Sequence, residues 1–265
     1  MLTLGSDVEV FLCHRQTREL ASAVGLIGGT KQDPKWYDEG NLQEDNVLAE
    51  YAILPSSTEE EFVQRNKAMQ DRLSELLPDM RHLFDSSNVM PEECLMSEEA
   101  LQFGCDPDFN AWTATYNESP DPYEVGGLRT AGGHIHIGFT DGNEQPVREC
   151  IMLARACDVH LGLPSLLVDQ DNRRRELYGA AGCFRRKPYG IEYRSLSNFW
   201  AESEELTRWA YNAAHRAYNM YVEWGRGLLD LTTDVQTAIN TNDVDMAVNL
   251  MGLYGVEHIH DKRAA

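Results

Sequence analysis

Alternation between apolar and polar side chains is clearest in four stretches of the chain, and each predicts a β-strand. Residues 2–12, LTLGSDVEVFL, put Asp7 and Glu9 on one face of the first. Residues 44–55, EDNVLAEYAILP, form the second, stopped by Pro55. Glu44, Asn46 and Glu50 share a face there unless a bulge at Asp45 shifts the register. Residues 131–138, AGGHIHIG, direct His134 and His136 to one side and Ile135 and Ile137 to the other. A last strand over 190–197 turns Ile191 and Tyr193 toward a core and Glu192 and Arg194 toward a cleft.

Elsewhere the period lengthens to that of a helix. Ser57 with Glu60 reads as a capping box, and Phe62, Met69, Leu73 and Leu76 follow at helical spacing until Pro78. A second helix is predicted from about Gln145 to Leu161. A third starts at Ser203, carries Leu206, Trp209, Ala213, Met220, Tyr221 and Trp224 near one stripe, and stops at Gly225 and Gly227. The remainder of 203–265 reads as helical. Residues 25–34 are turn-rich, 86–128 form a long loop of the kind that carries function, and a short strand from 165 leads into a Gly- and Arg-rich loop. Strands lie far apart with helices between them, and no Gly-rich nucleotide fingerprint follows any strand. The expected class is α+β with a largely antiparallel sheet.

Composition narrows the function. The 265 residues are 42% hydrophobic and 25% charged, which suits one large domain or two small ones, and the net charge is −20. A chain this acidic repels nucleic acid and anionic lipid, so neither is an expected partner. The N-terminus lacks the basic start and apolar core of a signal peptide, and no apolar run approaches a membrane span. Six scattered cysteines (Cys13, Cys94, Cys105, Cys150, Cys157 and Cys183) form no C-x-x-C pair. They read as reduced thiols of a cytoplasmic protein, with no Cys94–Cys105 bridge expected.

If the four polar faces converge, they gather carboxylates and imidazoles into one cluster. Oxygen donors with an occasional imidazole suit Mg²⁺ or Mn²⁺ better than zinc. Arg173, Arg174, Arg175, Arg185, Arg186 and Arg194 lie within 22 positions of an otherwise acidic chain. Guanidinium forks match phosphate oxygens, so divalent metal plus arginine on one sheet points to a nucleoside triphosphate. Arg173 and Arg174 read better as solvated residues balancing nearby acids. Arg185 and Arg194, framed by Gly179, Gly182 and Gly190, read as functional.

The strings GSDVEVF, DNVLAEY, AGGHIHIG and GIEYRSL, in this order, resemble the glutamine synthetase-like superfamily that includes glutamate–cysteine ligase. The chain is most similar to the phage-type carboxylate–amine ligases of type 2, over about residues 5–200. The resemblance implies a half-open, curved antiparallel sheet with helices on its outer face, in a single catalytic domain spanning 1–265. It implies Asp7, Glu9, Glu50, His134 and Glu192 as metal ligands. Arg185 and Arg194 would hold ATP phosphates or an acyl phosphate, His136 would touch metal or nucleotide, Arg175 would be a further nucleotide contact, and Arg185, Arg194 and Glu192 would serve catalysis. Asp7 stands where larger relatives carry Glu, which shortens that ligand's reach. The further acid on the second strand is either Glu44 or Asp45. No separate domain is expected before the first strand, so ring assembly is not implied. The implied activity is ATP-dependent amide or peptide bond formation through an acyl phosphate, in the host cytoplasm for a phage protein. Its cofactors would be ATP and Mg²⁺ or Mn²⁺, and its partners a carboxylate and an amine, free or within a peptide.

Two other classes stay open on the residues alone. A metal-dependent hydrolase also uses H-x-H on a strand, but it leaves the arginines without a role. A non-catalytic ATP- or peptide-binding scaffold explains the fold but not the usable side chain at every ligand position.

Overall fold

The computed structural model describes residues 2–101, 108–118, 125–140 and 142–259. Its centre is β1 (Thr3–His14), the longest strand, which starts one residue later than its alternation begins and runs two residues further. On one side β1 pairs with β3 (Leu48–Ile53), which pairs with β2 (Gly40–Asp45). On the other it pairs with β4 (Gly133–Gly138). That strand pairs with β6 (Gly190–Tyr193), and β6 pairs in turn with β5 (Cys183–Lys187). All these pairings are antiparallel. Short strands at Lys35–Trp36, Phe109–Asn110 and Thr115–Tyr116 extend the two edges, and Leu20–Ala21 and Met80–Leu83 clasp the far end of β1.

The α+β class with a largely antiparallel sheet is therefore as expected, but the curved sheet is not. The strand path runs from Lys35–Trp36 at one edge to Thr115–Tyr116 at the other without meeting itself, and the sheet is neither closed nor strongly curled.

Register follows from the alternation. Val8, Val10, Leu42, Tyr51, Ile135, Ile137, Ile191 and Tyr193 are all buried in one apolar cluster. Each fully buried aliphatic side chain of this kind contributes about 1.5–3 kcal/mol. A slip of one residue would turn Asp7, His134 and Glu192 into that cluster, so the pairing is strongly specified. The cluster is covered by α1 (Glu59–Leu76), α2 (Val147–Cys157) and α3 (Glu204–Trp224). Helix α1 packs on β2 and β3, α2 packs on β5 and β6, and both pack on α3. Two further helices, α4 (Asp234–Thr241) and α5 (Val244–Tyr254), complete the helical C-terminal part. Among the described residues no helix is long and apolar enough to cross a membrane.

Four local expectations are corrected. The second strand is a hairpin: Asn46 adopts φ 58° in a two-residue turn, so Glu44 and Asp45 lie on β2 while Glu50 lies on β3. Asn tolerates that left-handed conformation because its short amide bonds locally, here to the Val47 N–H. The cap of α1 is Thr58, whose hydroxyl accepts the Glu61 N–H, so the box is shifted by one residue from Ser57 and Glu60. The 165 region is helical, since α2 continues through a π-turn at Asp158–Gly162 into a short helix at Leu163–Ser165. The long 86–128 loop contains short strands, Ser87–Val89 paired with Leu128–Thr130 among them. Cys105 lies outside the described residues.

Ser203 caps α3 as expected, accepting the Leu206 N–H. Beneath the sheet, Asp158 accepts hydrogen bonds from Trp112 Nε1 (2.6 Å), Tyr193 Oη (2.7 Å) and the Gly182 N–H (3.0 Å). Burial outweighs these bonds and pushes its carboxyl up to about 6.

Candidate active site

The polar face of the sheet is continuous across six strands because cross-strand partners in an antiparallel pair point to the same side. Gln43 opposes Glu50, and Glu50 opposes Glu9. Asp7 opposes His134, His136 opposes Glu192, and Glu192 opposes Arg185. Arg194 follows β6 directly, on the same face. The expected ligands Asp7, Glu9, Glu50, His134 and Glu192 are thus brought together, with His136, Arg185 and Arg194 beside them.

One end of this face is crowded with acids. Glu9, Asp45 and Glu50 each offer an oxygen within 4.8 Å of the others. Burial and then the charges of Asp7, Asp45 and Glu9 push the Glu50 carboxyl well above the ordinary range, and Gln43 eases it only slightly. Burial and then Glu9 push Asp45 up as well. Glu9 is anchored by the Gly132 N–H, 2.6 Å from its Oε2.

The other end is laced with cations. Glu192, only 1% exposed, gives Oε1 to a hydrogen bond from Arg194, with Arg185 Nη1 at 3.6 Å, while Lys187 Nζ stands 2.6 Å from Oε2. Asp108 ties both guanidinium groups, 2.8 Å from Arg194 Nε and 3.3 Å from Arg185 Nε. Burial and Asp7 push the Glu192 carboxyl up, but Arg194 and the two histidines prevail and hold it below the ordinary range. Burial would likewise raise Asp7; His134, 2.8 Å from its Oδ1, and His136, 3.2 Å from its Oδ2, hold it well below that range. The other ring nitrogen of His136, Nδ1, is hydrogen-bonded to Tyr189 Oη. Burial would lower His136, yet the Asp7 charge and hydrogen bond raise it.

The Gly- and Arg-rich loop expected here begins instead with a short helix at Arg173–Leu177 and ends in β5, and its arginines are sorted differently from their sequence reading. Arg173 is exposed on Asp171, as expected of a solvated residue. Arg174 corrects that expectation: it is buried, donating to the carbonyls of Ala131, Ser195 and Arg194. Arg175 is not brought to the polar face; its guanidinium is held by the Asp169 and Asp171 carbonyls and by Asn242 Oδ1. Arg186, on the opposite side of β5, pairs with Glu144. Glu44 is likewise absent from the cluster, because its carboxylate accepts the backbone N–H groups of Gly25, Ile27 and Gly28.

Sequence reasoning missed Asp45 as the definite third acid, and it missed Asp108, Lys187 and Tyr189 altogether. The KPYG turn carried a signal: Gly190 has φ 150°, and a side chain there would collide with the Ile137 carbonyl oxygen. A turn forced that close to the histidine strand has to deliver its neighbours to the site. A cavity of about 50 Å³ opens beside the acids, lined by Glu9, Asp45, His134, Arg129, Arg174 and Arg194 among others.

A divalent ion fits this donor set. Asp7, His136 and Glu192 form a second group with ligand atoms within 4.8 Å of one another. Asp7 Oδ1 and Glu192 Oε2 are both buried without a hydrogen bond of regular geometry. Two groups of carboxylate oxygens, one including an imidazole, match Mg²⁺ or Mn²⁺ chemistry.

The family described as Phage phiEco32-like COOH.NH2 ligase-type 2 matches residues 123–250. No curated protein matches the chain. Among solved structures, one described as a novel glutamine synthase homolog is similar at 11% identity and a TM-score of 0.41. The likeness covers 94% of this chain and 66% of that one.

Proposed function

We propose, for a chain whose residues 123–250 match the phage-type carboxylate–amine ligase family, that the polar face of the sheet is an ATP-dependent ligase site. The observation that carries this reading is the pairing of a crowded acid group, Glu9–Asp45–Glu50, with a guanidinium-rich group, Arg185–Arg194, on one face. The first suits divalent metal, and the second suits the phosphates of a nucleotide.

In this reading the reaction has two steps. A substrate carboxylate oxygen attacks the γ-phosphorus of ATP, forming the acyl C–O–P linkage as the bond to ADP breaks. An amine nitrogen then attacks the acyl carbon, phosphate leaves, and the nitrogen loses its proton. Mg²⁺ or Mn²⁺ held by Glu9, Glu50 and Asp45, and by Asp7, His136 or His134 and Glu192, would neutralise charge on the nucleotide and on the incoming carboxylate.

The chain's own groups supply position and field. Asp108 and Glu192 hold Arg185 and Arg194 as aligned forks before any ligand arrives, so little reorganisation is needed when negative charge develops on the transferred group. Tyr189 fixes the ring of His136, and Asp7 takes its opposite nitrogen. The buried cysteines stay outside this scheme; burial pushes the Cys157 and Cys183 thiols up, away from nucleophilic thiolate.

Calorimetric titration with ATP tests the reading, with Mg²⁺ present and then with chelator. Binding is expected only with the metal, and equal binding in chelator counts against it. ADP release against pooled amino acids and cell-wall peptides then identifies the carboxylate and the amine.

A further inference from the structure

The hairpin joining β5 to β6 brings Lys187 onto the polar face at one oxygen of Glu192. The two carboxylate oxygens are divided between different cations. Arg194 and Arg185 take Oε1, while Lys187 Nζ lies 2.6 Å from Oε2, the oxygen that accepts no hydrogen bond of regular geometry. That same carboxylate belongs to the Asp7–His136–Glu192 group. An ammonium in contact with a carboxylate oxygen and a divalent ion on the same oxygen would stand within a few ångströms of each other, a strong repulsion in a partly dry site. Only one of them can occupy Oε2.

Mobility decides which one leaves. Glu192 is 1% exposed and fixed by its strand and by the guanidinium groups, whereas Lys187 is 31% exposed on a flexible four-carbon stem at the base of a turn. Lysine can swing to solvent without breaking the sheet.

We propose that Lys187 is the resident counter-cation of the Asp7–His136–Glu192 site, standing in for a divalent ion until that site loads. The inference rests on the metal reading above. Loading is then ordered: the Glu9–Asp45–Glu50 group fills first, and the second ion must displace an ammonium.

Mn²⁺ titration of the nucleotide-free protein, followed by calorimetry and by the electron paramagnetic resonance of free Mn²⁺, tests this. Wild-type protein is expected to bind one ion tightly and a second at least about tenfold more weakly. Lys187→Met should tighten the second ion about tenfold and leave the first unchanged, while Lys187→Arg should behave as wild type. Lys187→Gln repeats the measurement should the Met variant melt early. A charge-free variant that titrates as wild type, or that loses the second ion, overturns the proposal and leaves the metal reading standing. No Mn²⁺ bound by any of the proteins overturns both.

Discussion

At one end of the polar face Glu9, Asp45 and Glu50 crowd together, and the Glu50 carboxyl is driven up by burial and by its acidic neighbours. At the other end Glu192 is more deeply buried, yet Arg194 and then His136 and His134 hold its carboxyl low, with Arg185 and Lys187 also against its oxygens. Both ends lie on the same sheet and are built from the same alternation of acid and apolar residues. The difference is where the compensating charge comes from. At the acid-crowded end acids face acids, and at the other the chain itself supplies the cations. A carboxylate's burial therefore says little about its role until the groups facing it are known.

The sharpest test of this contrast is Glu192→Gln in metal-free protein. Removing the Glu192 charge from a buried ion-pair network weakens the compensation of Arg194, which Asp108 still holds, so a loss of about 3 kcal/mol, the low end for breaking a buried pair, is expected by urea denaturation. A stability equal to wild type would show that the network is not the support described here.

Asp158, on the apolar side of the sheet, provides a reference acid away from both ends. Its folded carboxyl titrates near 6, above the unfolded value of about 4, so its contribution to stability is full below pH ~4 and lost as pH rises through 6. Relative to Asp158→Asn, wild-type stability should fall by about 3 kcal/mol across that window. A parallel pH dependence of the two proteins would remove Asp158 as the source.

Glu50→Gln should act with the opposite sign to Glu192→Gln. Relief of crowding leaves the metal-free protein unchanged or more stable by about 1 kcal/mol, and the melting-temperature gain from Mn²⁺ at concentrations that fill only the tighter site should disappear. A destabilised variant that still responds to Mn²⁺ would erase the distinction between the ends.

The smallest effect on the fold is expected from Arg185→Lys and Arg173→Lys, each within about 0.5 kcal/mol in a chemical melt. They should separate in the ligation assay. Arg185→Lys keeps the charge but loses the fork and should lower turnover by roughly tenfold, whereas exposed Arg173 should tolerate the change. Equal turnover of the two variants would take the phosphate role away from Arg185.

Much of this site was legible before any coordinates. Period-two alternation decides which side chains share a face, and it is a local property, so Asp7 with Glu9, His134 with His136, and Glu192 with Arg194 could be grouped by reading alone. The apolar partners Ile135, Ile137, Ile191 and Tyr193 fell into the core for the same reason. Helix α3 was equally readable, because its Ser203 cap and its stripe are written within a few turns.

What the tertiary structure alone decided is non-local. The Asn46 turn folded the second strand into a hairpin and thereby chose Asp45 over Glu44 as the acid beside Glu9 and Glu50, a choice that depends on cross-strand register. Arg174 and Arg175 look alike in RRR, but one step along the short helix sends the first to the Ala131, Arg194 and Ser195 carbonyls beside the acids and the second to Asn242. Asp108 enters the site from just before an edge strand, far in sequence from the Arg185 and Arg194 it meets, and Lys187 comes round the turn between β5 and β6 to Glu192. Charge compensation acts across space with no preference for neighbours in the chain. Which acid faces a cation of the chain and which faces other acids was settled only when the strands took their order.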